Sequence, residues 1–430
     1  MNTARAAERY TLTDTLHLWW LQDPARPRGV GTLRHVRRAG TQPAGVALAY
    51  APEWLADGVA LSEDLPLQRG EFLPAEQDAA AGAVDDARPD RWGERVIRLL
   101  DRPPRLSTLE YLYFAGDERF GALGVSTSAT DYRPREFGPL PALADVQTLH
   151  DLVRRVEAGE AVDEPLRRLV TPGATLGGAK PKALLAMAGA QWVLKFGVAG
   201  EPLDNPLVEH AAMTLAARAG ILVCETRALR LRSGHALAVR RFDRGPGLRV
   251  HALSAQVALR AAGQGYGYPE LALLLRRRAP ADAFAQQGEQ LFRRMVFNIL
   301  IDNTDDHEKN HALGVSGTGI AGITGHGGAA QRYHLSPAFD VLPSGQALGY
   351  QQMRVGRDGA ESTLANALSE HRAFALTAAQ ALQVCTEVAR VVAGWRKHFA
   401  AQGVTPRDLA LLAEQIDRPF LREQRAVHAA

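Results

Sequence analysis

Hydrophobic and polar positions follow two regimes along the chain. Up to about residue 125, apolar residues come in short runs broken by Gly and Pro, as in GTLRHVRRA and GVALAYAPEWL. Short runs with β-branched residues between turn formers predict strands. A polar, Ala- and Asp-rich stretch from Asp78 to Asp90 leads to a helix-like RWGERVIRLL, and Glu118 to Ser126, ERFGALGVS, reads as a closing strand. These elements predict a small α+β domain.

Beyond it, DVQTLHDLVRRVEAGE has helical spacing, and a glycine cluster, TPGATLGGAKPKAL, precedes two strand-like runs. The second run, QWVLKF, carries Lys195. The spacing then predicts a helix capped by Asp204 or Asn205, with Pro206 in its first turn. Val208, Ala211, Ala212, Leu215, Ala216 and Ala219 form its apolar face, and Gly220 ends it. Two more strands, VCETRALRLRS and HALAVRRFDR, follow. From about residue 250 the pattern is mostly helical, strongest over Leu271 to Leu275 and Leu291 to Ile301. HALGVSGTGIAGITGHGGAAQRYHL predicts a hairpin with a glycine-rich, mobile tip. Thr377 with Gln380 predicts a capping box, and Leu382, Cys385, Val388, Val392, Trp395 and Phe399 one long apolar stripe behind it. The fold class expected is α+β, β-rich in the N-terminal half and mostly helical in the C-terminal half. The divisions fall at 1–125, 126–245 and 246–430.

Composition narrows the class. At 430 residues, 46% hydrophobic and 23% charged, the chain is long enough for a large core and too apolar for a disordered one. No run approaches the roughly 18 apolar residues of a membrane span, so no membrane partner is expected. Arg5, Glu8 and Arg9 make the N-terminus unlike a secretory signal. Two cysteines, Cys224 and Cys385, exclude a disulfide framework and a Cys-rich zinc site. A cytoplasmic location follows as the expectation. Lys plus Arg exceeds Asp plus Glu by 50 to 47, and the basic clusters Arg34 to Arg38 and Arg276 to Arg278 are short. They read as solvated faces, and no direct nucleic-acid binding is expected.

The densest polar signal is Asn303-Thr304-Asp305-Asp306-His307-Glu308-Lys309-Asn310, directly after the apolar LFRRMVFNILI. Asp340 follows the hairpin between apolar neighbours in LSPAFDVLP, where an ionised carboxylate is costly unless paired or metal-bound. The bland alternative is an aspartate capping a turn before Pro343. Phosphoryl transfer needs a carboxylate to orient the acceptor hydroxyl, oxygen ligands for Mg²⁺ and a cation for the phosphates. Asp305 lies five residues before Asn310, with Asp340 later, which is the order of base and metal ligands in protein kinases. Lys195 on a strand, Glu209 on the following helix and Gly177-Gly178 ahead of both complete the set. Glycine there allows backbone N–H groups to approach phosphate.

A competing motif is His307-Glu308-Lys309-Asn310-His311, literally H-E-x-x-H. Zinc chemistry needs both histidines on one face of a helix, with the glutamate as base. Here Asn303-Thr-Asp-Asp before it reads as a turn and Ala312-Leu313-Gly314 after it as a strand, which disfavours a zinc hydrolase. A non-catalytic ATP-binding subunit is a further alternative, opposed by the intact Asp305, Asn310 and Asp340.

GGAKPK, WVLKF, NPLVEHAAMTLAARAGI, AVRRFDR, NTDDHEKN and SPAFDVLP together resemble HipA-like toxin kinases, the toxin half of type II toxin–antitoxin systems. WLADGVALSEDLPL, RPDRWGERVI and ERFGALGVS resemble that family's first subdomain, so the likeness runs over most of residues 45 to 345. The resemblance implies a two-lobed, atypical serine/threonine kinase using ATP and Mg²⁺. Asp305 would be catalytic, Asn310 and Asp340 would hold Mg²⁺, and Lys195 would meet the ATP phosphates. Lys182 and the turn from Gly177 and Gly178 would form the phosphate-side loop. The stretch from Arg240 to Phe242 would be the adenine-binding hinge, although Arg240 stands where the family can have an acidic residue. Thr175 stands at the family's autophosphorylated serine, with Thr171 nearby. Family members phosphorylate aminoacyl-tRNA synthetases, arrest translation and pair with a DNA-binding antitoxin.

Overall fold

The structure is a computed structural model that describes residues 10–40, 42–160, 162, 169, 178–316 and 332–429. Thr171, Thr175, Gly177 and the hairpin tip at 317–331 lie outside the described residues.

The first unit is built on a mainly antiparallel sheet. Its elements are β1 (Thr15–Trp20), β2 (Arg28–Val36), β3 (Gly45–Tyr50), α1 (Pro52–Asp57), β4 (Glu71–Phe72), β5 (Ala79–Ala80), α2 (Arg91–Val96), α3 (Thr108–Phe114) and β6 (Leu123–Ser126). The sheet order is β4-β3-β2-β1-β6, with β5 pairing parallel to β3. Leu16, Leu18, Val30, Leu33, Val46 and Leu48 pack with Leu109 and Leu112 of α3 in one core. Asp78 to Asp90 is not the polar connection its composition suggests. It holds β5 and a 3₁₀ turn at 82–87 in which Asp85 and Asp86 are both buried. Each is satisfied: Asp85 accepts from the Ala80 N–H, and Asp86 from Ser254.

After α4 (Val146–Glu157), four antiparallel strands form a second sheet: β7 (Lys182–Met187), β8 (Ala190–Phe196), β9 (Thr226–Arg230) and β10 (His235–Arg240), in the order β7-β8-β10-β9. Helix α5 (Asn205–Arg218) lies between β8 and β9 in sequence. Strand periodicity sorts the two faces. Trp192, Leu194, Phe196, Ala236 and Ala238 pack with α4, whereas Leu237 and Val239 belong to the large core that contains α5. The expected apolar face of α5 is buried, and Gly220 follows it with φ 78°. Its cap differs: the Asp204 carboxylate leaves the helix end and takes His235 Nδ1 at 2.6 Å.

A short hairpin, β11 (Arg244–Gly245) with β12 (Leu248–Arg249), leads to the helical half. There β13 (Ala252–Ser254) runs into α6 (Ala255–Ala261), followed by α7 (Tyr268–Arg278) and α8 (Phe284–Leu300). The expected hairpin is β14 (Ala312–Ser316) with β15 (Arg332–Leu335), and β14 also pairs with β13. Helices α9 (Leu364–Ser369), α10 (Ala378–Ala393), α11 (Trp395–Ala401), α12 (Pro406–Ile416) and α13 (Pro419–Ala429) complete the chain. From Leu291 onward α8 is buried on every side, as a helix at the centre of a bundle must be. The Thr377–Gln380 capping box forms. The stripe behind it is corrected in two ways. Leu382 is 48% exposed, and the turn at Gly394 places Trp395 and Phe399 on the next helix. Ala381, Cys385, Val388 and Val392 form the buried face of α10. No helix among the described residues is long and apolar enough to cross a membrane.

Candidate active site

Lys195 occupies the buried side of β8 that faces α5. Leu237 stands opposite it on β10, and Lys182 opposite it on β7. Its ammonium donates to Glu209 Oε1 of α5 at 2.6 Å and to Asp340 Oδ1. Three residues separated by 14 and 145 positions in sequence thus meet at one nitrogen. Burial would lower the Lys195 pKa, but Asp340 and Glu209 overcome it and hold the ammonium charged well above the usual range. Burial would likewise raise Asp340, but the Lys195 ammonium brings its carboxyl down to about 2. Asp340 has φ 60°, a left-handed turn for a non-glycine residue. The segment before it is fixed by bonds from Ala338 N–H to the Leu222 carbonyl and from Cys224 N–H to the Ala338 carbonyl, both 2.8 Å.

The loop after α8 separates two adjacent aspartates by role. Asp306 is buried, where its Oδ2 accepts from the Tyr268 hydroxyl and pairs with His311 Nε2 at 2.8 Å. Burial pushes its pKa up, but His311 and these bonds bring it below the ordinary value. Asp305 points outward and is pushed up by partial burial, against the pull of His307 and Lys180. The side-chain amide of Asn310, five residues on, lies 3.5 Å from the Asp305 carbonyl. The Asp302 turn that launches the loop also has positive φ, 61°, and Asp302 is paired with Arg418. His307 and His311 do not share a helical face. A 3₁₀ turn at Glu308–Asn310 separates them and His311 is turned inward to Asp306. The described residues contain no cluster of three or more His, Cys, Asp or Glu suited to a metal.

Of the two loop lysines, Lys182 is buried and paired with Asp90 Oδ2 at 2.6 Å, and Trp92 Nε1 donates to its carbonyl at 2.9 Å. Its ammonium lies against Gly178, since a Cβ there would come 2.9 Å from it. The cation within electrostatic reach of Glu209, Asp305 and Asp340 together is Lys180, which the sequence reading did not single out. It lies in the bend two residues before β7 begins at Lys182.

At the expected hinge, the Arg240 and Arg241 N–H groups donate to the Glu225 and Gln191 carbonyls at 2.9 and 3.0 Å. Arg240 points to solvent near Glu225. Phe242 stacks on Phe339 with centroids 5.8 Å apart and meets Phe120 edge-on at 5.9 Å. Arg241 forms two bonds to Asp243 and donates to the Glu118 and Arg119 carbonyls, each at 2.9 Å from a terminal nitrogen. Asp243 in turn accepts from the Gly121 N–H. Only the distal position of 118–121 kept this network from being visible in sequence.

Comparison with known proteins gives the same assignment from two directions. Among solved structures, the chain is similar to HipA of Shewanella oneidensis MR-1, described in a toxin–antitoxin complex with HipB and operator DNA. That match has a TM-score of 0.63 and 17% identity, and it covers 96% of each chain, which shows a shared fold. A weaker likeness, at a TM-score of 0.42 and 12% identity, covers 60% of this chain and 95% of the Helicobacter pylori proinflammatory kinase CtkA. Residues 27–126 match the model for the HipA N-terminal domain. Since residues 174–395, more than half of the chain, match the HipA-like C-terminal domain, the chain belongs to the HipA family of toxins.

Proposed function

We propose that the chain is an ATP-dependent serine/threonine protein kinase of the HipA type. The observation that carries this reading is Lys195, whose ammonium joins Glu209 and Asp340 at one point. In that reading Asp305 orients the acceptor hydroxyl, and its outward, exposed carboxyl with a raised pKa suits a group that handles a proton. Asn310 and Asp340 would hold Mg²⁺ with the phosphates and waters completing the shell. Two oxygen donors of this kind fit that ion, which rarely takes an all-protein cage. Mg²⁺ would neutralise charge on the transferred phosphoryl group. Lys195 and Lys180 would face the phosphates, while Lys182, paired with Asp90, lies against Gly178. The base would lie near Phe242 at the end of β10. Thr175 or Thr171 would take the inhibitory phosphate.

The protein target would be a translation component such as an aminoacyl-tRNA synthetase, and transfer to it would arrest growth. A DNA-binding antitoxin is the partner to expect, since the Shewanella relative is described with HipB and operator DNA. The purified chain, incubated with labelled ATP, Mg²⁺ and a cell lysate, should label itself or a discrete protein, and the Asp305→Asn variant should not. Equal labelling by the two proteins, or none by the native chain under any Mg²⁺ supply, would overturn the reading.

A further inference from the structure

Behind the site, Arg294 of α8 is a cation that the proposed reaction does not use. It is 3% exposed. One nitrogen, Nη2, donates to the Ser336 carbonyl, at the start of the segment that ends in Asp340. Its Nε and Nη1 find no hydrogen-bond acceptor among the described residues. Burial lowers the guanidinium pKa to about 10, partly offset by Cys224 and Asp306, so it stays charged at neutral pH. A buried charge with two idle donors is rare in a folded protein.

The same arginine lines a small cavity together with Asn298, Asp306, Asn310, His311 and Phe339. The cavity offers about 10 Å³, the room for a single water. His311 Nδ1, also buried, likewise lacks a protein partner. Idle donors and acceptor-bearing side chains therefore surround a space of one water, and a larger anion would not fit.

We propose that this cavity is a binding site for one ordered water, held by Arg294, that ties the loop bearing Asn310 to the segment bearing Asp340. The water accepts from Arg294 and donates toward the Asp306 carboxylate or the Asn310 amide oxygen. Arg294 already grips Ser336 directly, so through this water one side chain sets the two expected Mg²⁺ ligands relative to each other. It is a positioning residue, and this role rests on the kinase reading above. Partners behind metal ligands typically change metal affinity by about 10–100-fold when removed.

A crystal structure of the full chain at a resolution that shows waters should place one within hydrogen-bond distance of Arg294 and of Asp306 or Asn310. A dry cavity in the native protein would overturn the site. Arg294→Met fills similar length without a donor. With ATP saturating, the Mg²⁺ concentration for half-maximal transfer should rise roughly tenfold or more. Arg294→Lys, which keeps a cation at the cavity, should recover part of that loss, whereas a merely structural role would leave the Mg²⁺ requirement unmoved. An unchanged Mg²⁺ requirement in the folded Met variant would overturn the positioning role. If Arg294→Met does not fold, Arg294→Ala, which also removes the donor, carries the titration with the same two outcomes. A native chain that transfers no phosphate sinks the kinase reading, while the water density still decides the site.

Discussion

Asp305 and Asp340 lie within electrostatic reach of one another, yet they answer to burial with opposite results. Asp340 is brought down to about 2 because Lys195 sits on it, while Asp305 has no such partner and partial burial raises it. The sign for activity follows. As the proposed base, Asp305 must be ionised to accept the hydroxyl proton, so transfer should fail as pH drops through a value above the ordinary aspartate 3.8. Asp340 stays ionised there, so Mg-ATP binding by calorimetry should stay level across the acid limb of kcat/KM. A joint decline of binding and turnover would remove the assignment of that limb to Asp305. Asp305→Asn should fold and bind nucleotide but lose about 10²–10⁴-fold in phosphoryl transfer, the usual worth of a positioned proton acceptor. Near-native transfer by that variant would exclude Asp305 as the base. Its neighbour Asp306 warns against treating the motif as a unit, because one residue's shift turns a carboxylate from the cleft into a core network with Tyr268 and His311.

At the scale of elements, two buried carboxylates decide how the site's supports are held. Asp86 accepts from the Ser254 N–H at 2.6 Å and its hydroxyl at 2.7 Å, where Ser254 caps α6. Gln256 of α6 reaches Glu308 of the Asp305 loop at 3.0 Å. Burial keeps the Asp86 carboxyl up at about 6, against the pull of the Ser254 bonds. The folded state therefore binds more protons than the unfolded one between about pH 4 and 6, and this group's contribution to stability falls as pH rises through that window. Denaturant titrations of the native chain and Asp86→Asn should show the difference between them changing across that window and flat above it. The second carboxylate is Asp90. Asp90 also accepts from the Gly93 N–H as the cap of α2, so Lys182→Met removes its ion pair while the cap remains; it should cost about 3–5 kcal/mol of stability, and Asp90→Asn on the same background, which keeps a cap acceptor without the charge, should restore part of it. Thermal unfolding in which the double variant is no better than the single would disprove the pairing as the cause. These supports explain what was legible in sequence. Lys195, Glu209 and the Asp305 loop could be found because each follows a local pattern: a strand, a capped helix, a polar burst after an apolar helix. Asp86 and Asp90 have partners 168 and 92 residues away, and composition alone marked their segment only as polar and rich in Ala and Asp. Leu382 was misplaced for a related reason, since helical spacing fixes a face but not the width of what packs against it.

Across the whole molecule, the N-terminal unit touches several supports of the proposed site. Asp90 and Trp92 hold Lys182 at the start of β7, and Asp86 holds Ser254 ahead of α6. The segment 118–121 is gripped by Arg241, Asp243 and Arg244 just after β10, with Arg244 donating to the Arg119 and Gly121 carbonyls at 2.6 and 2.9 Å. Such a buried set of charges is costly to assemble and more costly to break, so the two units are docked in one register. Phe120 extends that docking toward the proposed nucleotide region. Its ring abuts Phe242, which stacks on Phe339, the residue before Asp340, so a column of three rings runs from the N-terminal unit to the expected metal ligand. Phe120 is 7% exposed, and truncation there removes a wall rather than a surface contact. Phe120→Ala should cost about 3–5 kcal/mol of stability, as for other buried aromatics. It should also weaken Mg-ATP binding, because Phe242 and Phe339 both lose their backing. Phe120→Leu, which refills most of the space, should recover more of the binding than of the ring contact. The measurement is calorimetric ATP affinity beside thermal unfolding for the three proteins. A stability loss with unaltered ATP affinity in Phe120→Ala would mean that the column only cements the two units and does not reach the site.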